Sequence, residues 1–178
     1  MNSKLKEFLS TSLYLLIVVI VSFCIVKFVG QRTEVIGSSM LPTLEDGNNL
    51  ILDKISYRFS EPERFDVIVF PFRDATGKSY IKRIIGLPGE NVRIDENGNI
   101  FINEELLEET YGREVMKNPG IAINGITLSE NQYFVLGDNR NNSEDSRFPA
   151  VGAVSRDEIL GRAWLRVWPF NEFGFVNK

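Results

Sequence analysis

Residues 80–86, with the sequence YIKRIIG, carry a lysine in the middle of an apolar stretch. β-Branched and aromatic side chains dominate this stretch, which is typical of a β-strand. Because side chains alternate along a strand, Lys82 shares a face with Tyr80 and Ile84, and Arg83 lies on the opposite face. A lysine between apolar neighbours is compatible with a buried position, and burial would lower the pKa of its ammonium group. The alternative is that Lys82 extends along a half-exposed strand and keeps its charge in water.

The composition narrows the chemistry that the chain can perform. Its 178 residues are 43% hydrophobic, enough for one domain with a core, and the net charge of −4 argues against a nucleic-acid surface. The chain has no histidine, which excludes a Ser-His-Asp triad and any histidine-ligated metal site. The one cysteine, Cys24, lies in the most apolar segment, so no internal disulfide or zinc cluster can form. We expect no metal and no cofactor, and a nucleophilic enzyme of this composition must take its base from Lys, Asp, Glu or Tyr.

Residues 8–26 contain no charged side chain. At about 1.5 Å of rise per residue, a helix of this length nearly spans a hydrocarbon core of about 30 Å, and Lys27 can extend its amine outward so that the span lengthens. The sequence therefore predicts a transmembrane anchor at 8–29, between an N-terminal segment, 1–7, and a domain at 30–178. A cleaved signal peptide is the alternative, but the run is too long for one and no small-x-small site follows it. Positive charges are nearly balanced across the span and do not set its orientation.

The rest of the chain alternates short β-type runs with Gly- and Pro-containing turns and shows no long helical period. This pattern predicts a mainly β fold, in which the transmembrane helix precedes an all-β domain of the sandwich or barrel type. Asn97-Gly98 predicts a type I′ hairpin turn, 104–118 a long loop or insertion with a short helical turn, and 157–160 one helical turn. The predicted strands are residues 33–36, 49–55, 65–70, 80–86, 91–94, 99–103, 132–136 and 163–168.

A serine on a bend is the candidate nucleophile. Gly37 and Pro42 bound the bend that carries Ser39, so this serine is expected to be exposed and locally fixed. A serine needs a base, and without histidine a desolvated lysine is the best one, which points to Lys82. Ser143, in a polar loop further along, is expected to hydrogen-bond the lysine amine and orient its lone pair. The alternative is that Ser39 is an ordinary turn residue, because turns favour serine.

The polar loop at 138–147 holds two aspartates, two arginines and two serines. We expect two ion pairs to brace it, one between Asp145 and Arg147 and the other between Arg140 and Asp138. An ordinary solvated loop of the same composition is the alternative.

Four segments resemble the conserved boxes of bacterial type I signal peptidases and follow each other in the order of that family. They are residues 37–44, 64–70, 80–90 and 137–147. From the start of the anchor to the end of the last segment they extend over residues 8–147. The short length and the single span resemble the Gram-positive form of the family.

The resemblance implies that Ser39 is the nucleophile, that Lys82 is the general base and that Ser143 orients the lysine. It also implies structural residues near the site and a set of residues that line small apolar substrate pockets. The structural residues are Asp145, Arg147, Arg83, Asp138 and Arg140, and the pocket residues are Val35, Met40, Leu44, Val69 and Ile81. Two positions depart from the family pattern. Gly37 stands where the long form often has a serine that helps to bind the oxyanion, which leaves the second oxyanion donor open, and Phe65 stands where the family often has glycine.

The resemblance also implies the partners and the location. The substrates would be exported preproteins, cut after a small-x-small site at the end of a signal peptide, and the extended substrate would pair with a strand edge. The domain at 30–178 would lie on the outer side of the cytoplasmic membrane, with residues 1–7 inside the cell. The oligomeric state stays open. The sequence keeps two other functions open, an anchored non-catalytic β domain that binds extended peptides and a Ser-Lys protease that cleaves itself.

The C-terminal region is rich in aromatic residues, and their role is open between two structures. They either contact the lipid interface, where aromatic side chains are favoured, or close the core. These residues are Trp164, Trp168, Phe170, Phe173 and Phe175.

Overall fold

The computed structural model describes residues 3–24, 30–72 and 79–176. A single long helix, α1, covers Ser3–Cys24 of this part of the chain. Its segment Lys6–Phe23 has a mean hydropathy of 1.7 and is long and apolar enough to cross a membrane, and none of it is buried against the rest of the protein. The last residues of the predicted anchor, 25–29, and the polar turn predicted at 73–78 lie outside the described residues.

The described residues after α1 form twelve short strands, and every pairing between them is antiparallel. This confirms the predicted mainly β fold. The strands are β1 Gly30–Glu34, β2 Asn49–Asp53, β3 Val67–Pro71, β4 Ser79–Gly86, β5 Asn91–Ile94, β6 Ile100–Ile102, β7 Glu105–Leu106, β8 Ile126–Thr127, β9 Gln132–Leu136, β10 Val154–Ser155, β11 Gly161–Trp168 and β12 Gly174–Phe175. Short 3-10 turns cover Ser56–Arg58, Gly120–Asn124, Arg156–Glu158 and Phe170–Glu172.

The strands are arranged in two sheets. In the larger sheet the order is β1-β2-β11-β3-β4-β9-β10, with β12 paired to β11, and in the smaller sheet it is β7-β6-β5-β8. Strand β4 lies inside the larger sheet, where β3 pairs with Ser79–Arg83 and β9 pairs only with its second half, from Arg83. The first half of β4 therefore has a backbone edge that no strand of the described residues covers.

The alternation of β4 places its side chains in different hydrophobic clusters. Ile81 packs in the cluster that contains the bend before β2, and Ile84 packs in the cluster on the other face. Ile85 joins a third cluster in which Phe134 of β9 meets Val92 of β5, so this cluster holds the small sheet against the large one. The candidate nucleophile and the lysine strand are thus parts of one packed body.

Residues 104–118 differ from the prediction. They contain strand β7 and extended or turn segments, and the predicted helical turn is absent from them. The turn predicted at 157–160 is present as the 3-10 turn Arg156–Glu158.

Candidate active site

The bend that carries Ser39 is fixed by its first residue. Gly37 has a φ of +92°, in the region that favours glycine, and its N–H donates to Asp46 Oδ1 at 2.6 Å. Because this N–H is already bound, it is not free to stabilise an oxyanion. Among the described hydrogen bonds the N–H of Ser39 has no acceptor, so it is the available donor beside the Ser39 hydroxyl.

The structure brings Ser39 and Lys82 together. Lys82 Nζ donates to Ser39 Oγ at 2.8 Å and to the backbone oxygen of Ile81 at 3.1 Å. Only 2% of the Lys82 surface is exposed, so the alternative of a lysine that extends into water does not hold. The ring of Tyr80 lies over the amine, with 4.9 Å between Nζ and the ring centroid.

Burial lowers the pKa of Lys82 to about 8, and the negative charges of Asp145, Glu144 and Asp138 oppose this shift. A neutral amine is therefore accessible near physiological pH. Once Lys82 has lost its proton, the 2.8 Å contact can reverse, with the Ser39 hydroxyl as the donor. An uncharged amine at this distance from a hydroxyl is able to accept its proton, which is how a weak nucleophile is activated.

The polar loop holds the serine bend through two asparagines that the sequence did not single out. The N–H of Asn139 donates to the oxygen of Ser39 at 3.0 Å, and its Nδ2 donates to the oxygen of Ser38 at 3.0 Å. Asn142 Nδ2 donates to Ser38 Oγ at 2.8 Å. The signal for them was weak, since asparagine in a polar loop is ordinary turn chemistry.

One of the two predicted ion pairs in the loop is present. Arg147 Nε donates to Asp145 Oδ1 at 2.8 Å and its second nitrogen donates to Oδ2 at 2.9 Å, with both side chains buried. Asp145 also accepts from the N–H of Gly137 at 3.1 Å. This pair closes the loop on itself close to Lys82.

The predicted pair between Arg140 and Asp138 is wrong. Arg140 binds Glu109 at 2.6 Å, and Asp138 binds Arg83 at 2.7 Å. The physical reason is the fold, because β4 brings Arg83 to Asp138. Asp138 also accepts from the hydroxyl of Thr43, which connects the loop to the serine bend.

The predicted hydrogen bond between Ser143 and the lysine amine is also absent. The amine is held by Ser39 and the Ile81 carbonyl, and the buried hydroxyl of Ser143 has no partner among the described residues. This hydroxyl lies close above Gly137, where a Cβ would be 2.2 Å from it.

The five predicted pocket residues are brought together, but as buried core. Each is at most 9% exposed, and all belong to the hydrophobic cluster that packs beneath the serine bend. They are Val35, Met40, Leu44, Val69 and Ile81. Their role as subsite walls stays a prediction.

The five C-terminal aromatic residues lie on the surface, with between 42% and 75% of each residue exposed, so they do not close the core. They are Trp164, Trp168, Phe170, Phe173 and Phe175.

Comparison with known proteins connects this site to a family. Residues 6–168 match the family model described as "Signal peptidase, peptidase S26". The chain is 41% identical over 163 residues to "Probable signal peptidase I-2" from Synechocystis sp., covering 89% of this chain and 72% of that protein. It is likewise 41% identical to "Signal peptidase I" from Leptolyngbya laminosa, covering 88% of this chain and 77% of that protein.

A solved structure is also similar to the chain. The crystal structure of a signal peptidase I from Enterococcus faecalis V583 is 35% identical, with 58% of this chain and 97% of that chain covered and a TM-score of 0.47. The match to the family model and the identity to these relatives cover most of the chain. The chain therefore belongs to the signal peptidase family, peptidase S26, a family of serine proteases.

Proposed function

We propose that the protein is a membrane-anchored endopeptidase in which Ser39 is the nucleophile and Lys82 is the general base. Its reaction would remove signal peptides from exported preproteins by cutting after a small-x-small site. The observation that carries the proposal is the 2.8 Å contact between Ser39 Oγ and the amine of a lysine that is 2% exposed. Family membership supports signal-peptide removal, and this contact supports the choice of residues.

The reaction proceeds through an acyl-enzyme. Neutral Lys82 takes the proton of the Ser39 hydroxyl, and Oγ attacks the scissile carbonyl carbon while the oxyanion accepts from the N–H of Ser39. The protonated amine of Lys82 then gives its proton to the leaving nitrogen as the C–N bond breaks. Lys82 next takes a proton from a water, which attacks the ester carbonyl, and the protonated amine returns this proton to Ser39 Oγ as the ester bond breaks. The Ile81 carbonyl, 3.1 Å from Nζ, keeps the amine oriented in both steps.

The uncovered edge of β4 supports binding of an extended substrate. Strand β9 pairs with β4 only from Arg83, so Ile81 and Lys82 have no strand partner on this side among the described residues. A substrate in extended conformation would add to this edge, a common mode of peptide recognition. The hydrophobic cluster beneath the serine bend would supply small apolar subsites, which fits small side chains at the positions that precede the cut. The proposed subsite residues are Val35, Met40, Leu44, Val69 and Ile81.

The proposed location follows from α1 and from the surface aromatic residues. Residues 8–29 would anchor the chain, with 1–7 in the cytoplasm and 30–178 on the extracytoplasmic side. The exposed aromatic side chains of the C-terminal region, including Trp164 and Trp168, would contact the lipid interface. This arrangement would place the site near a substrate that is itself inserted in the membrane.

Cleavage of a preprotein by the full chain in detergent tests the proposal. Ser39→Ala and Lys82→Ala are each expected to abolish cleavage, whereas Ser129→Ala and Lys54→Ala, an exposed and a half-buried position outside the site, are expected to cleave normally. Replacing either small residue of the substrate site by a bulky one should also stop cleavage. Undiminished cleavage by the Ser39 or Lys82 variant would remove the proposed chemistry.

The same assay separates the two remaining functions. Binding of the preprotein without any cut would indicate a non-catalytic peptide-binding domain. Fragments of the enzyme itself, with the preprotein left intact, would indicate a self-cleaving protease.

A further inference from the structure

Residues 109–118, here called the bracing segment, lie along the back of the polar loop at 138–147. The N–H of Arg113 donates to the oxygen of Asp138 at 2.9 Å, and the N–H of Lys117 donates to Asn141 Oδ1 at 2.9 Å. At the far end of the loop, Arg147 donates to the oxygen of Asn118 at 2.9 Å. The bracing segment thus contacts the loop at its start, its middle and its end.

A buried ion pair adds to these backbone contacts. Glu109 binds Arg140 at 2.6 Å, with 10% and 4% of the two side chains exposed. Burial alone would raise the pKa of Glu109, but the hydrogen bond and the charge of Arg140 lower it below its usual value. Gly112 passes so close to the same guanidinium that an added Cβ would be 3.3 Å from Arg140 Cζ. The Glu109 carboxylate is therefore charged and paired with Arg140, whereas the other arginine of the loop, Arg147, binds Asp145.

Tyr111 contacts the site through Arg83. The central carbon of the guanidinium lies 3.8 Å from the centroid of the Tyr111 ring, a cation–π geometry. Arg83 binds both carboxylate oxygens of Asp138, at 2.9 and 2.7 Å, and reaches the hydroxyl of Thr43 at 3.3 Å. The ring of Tyr111 therefore covers the cation that joins the polar loop to the serine bend.

Phe65 packs against Tyr111 although its backbone has a conformation that disfavours a bulky residue. It has a φ of +71°, a conformation that favours glycine and that a bulky residue rarely adopts. Its ring lies 5.0 Å from that of Tyr111, and its backbone oxygen accepts from Arg83 at 2.9 Å. A phenylalanine at this position thus gives Tyr111 a packing partner that glycine would not give.

We propose that Tyr111 and Glu109 are positioning residues, which hold Arg83 and Arg140 so that the polar loop keeps Ser39 in line with Lys82. The proposal rests on the proposed roles of Ser39 and Lys82. Neither residue contacts the reacting atoms, and both act through arginines. A misplacement of about 1 Å at a reacting group can cost about 100-fold in rate, so loss of the brace affects the chemical step more than substrate binding.

Preprotein cleavage by matched variants of the full chain in detergent tests the role of Tyr111. Tyr111→Leu keeps an apolar side chain but removes the ring, and kcat is expected to fall about tenfold or more with KM nearly unchanged. Tyr111→Phe keeps the ring over Arg83 and is expected to restore kcat. The control is Phe101→Leu, which removes the ring 4.2 Å from the Arg93 guanidinium in the small sheet, away from the site, and should cleave as wild type does.

Glu109→Gln tests the ion pair independently, with Glu104→Gln as its control, because Glu104 forms an exposed pair with Arg93. Glu109→Gln is expected to lower kcat about tenfold, and Glu104→Gln to leave it unchanged. Thermal unfolding of each variant shows whether it is folded at the assay temperature. Folded Tyr111→Leu and Glu109→Gln proteins with wild-type kcat would overturn the brace, while inactive Ser39→Ala and Lys82→Ala proteins in the same assay would leave the Ser39–Lys82 chemistry intact.

Discussion

The two faces of strand β4 carry neighbouring cations that are buried almost equally, 2% exposed for Lys82 and 1% for Arg83. Arg83 forms two hydrogen bonds with the carboxylate of Asp138. Lys82 faces a hydroxyl and a backbone carbonyl, and none of the ion pairs among the described residues includes it. The two residues thus have the same burial but different partners.

The partner, more than burial, therefore decides what a buried cation does. A paired guanidinium stays charged and serves as a structural connection. Burial lowers the pKa of an amine that has no carboxylate partner, and the neutral form that results is a base. Asp145, whose charge acts on Lys82, is itself bound by Arg147, which leaves Lys82 without a direct ion pair.

The largest expected effect comes from removing the partner of the arginine. Asp138→Asn keeps the shape of the side chain but removes the carboxylate charge that lies against the buried Arg83 cation. The free energy of unfolding is expected to fall by about 3–5 kcal/mol, measured by urea denaturation.

The control for this change is an exposed ion pair. Glu104→Gln removes the partner of Arg93, whose pair is partly solvated, and is expected to cost less than about 1 kcal/mol. Equal losses in the two variants would contradict the view that burial makes the Arg83 pair structurally indispensable.

Removing the unpaired cation is expected to have the opposite sign. In the folded protein the pKa of Lys82 is lowered from 10.5 to about 8, so below pH 8 the charged amine costs stability, and this cost disappears as the pH rises to 10.5. Lys82→Met is expected to stabilise the protein at pH 7 by up to roughly 3 kcal/mol, reduced by about 1 kcal/mol for the lost contact with Ser39, and to abolish cleavage.

The pH dependence provides the check on this second change. The advantage of Lys82→Met should be full below pH 8 and should decline between pH 8 and 10.5, measured by urea denaturation across that window. If Lys82→Met were less stable than wild type at pH 7, or if its gain in the free energy of unfolding did not change with pH, burial of the charged lysine would not destabilise the folded protein.

The strands were predictable where the sequence carries a long enough pattern. β5 and β9 were predicted with their observed ends, Asn91–Ile94 and Gln132–Leu136, because β5 alternates polar and β-branched residues, β9 is mostly aromatic and apolar, and polar turns bound both. The two-residue strands β7, β8, β10 and β12 were not predicted, since two residues show no periodicity.

The type I′ turn was predicted at the wrong hairpin. Asn97-Gly98 was expected to form a type I′ turn, but only Gly98 of the two has a positive φ, of 83°. The consecutive left-handed residues are Asn103 and Glu104, with φ of 50° and 67°, in the turn between β6 and β7. At the earlier turn the Asp95 side chain accepts from the N–H of Asn97, which selects a different turn.

The candidate site also has a part that the sequence predicts and a part that it does not. The pairing of Ser39 with Lys82 was predictable because a chain without histidine leaves lysine as the best base for a serine, and because both segments resemble boxes of the signal peptidase family. The partners of the loop arginine and aspartate were not, since Arg140 binds a residue 31 positions away and Asp138 one 55 positions away. Contacts of that range depend on how the sheets pack, which local sequence does not show.

The smallest expected effect concerns the charges that surround the unpaired lysine. Wild-type kcat/KM is expected to rise with pH through an apparent pKa near 8, as Lys82 loses its proton. The negative charge of Glu144 raises that pKa, so Glu144→Gln should shift the rising limb to lower pH, whereas Glu105→Gln, on the small sheet, should leave it in place. Because Glu144 is exposed, salt screens its charge, and the separation between the two profiles should shrink as ionic strength increases. A wild-type profile that still climbs at pH 10 would place Lys82 among ordinary charged lysines and would remove the difference between the two faces of β4.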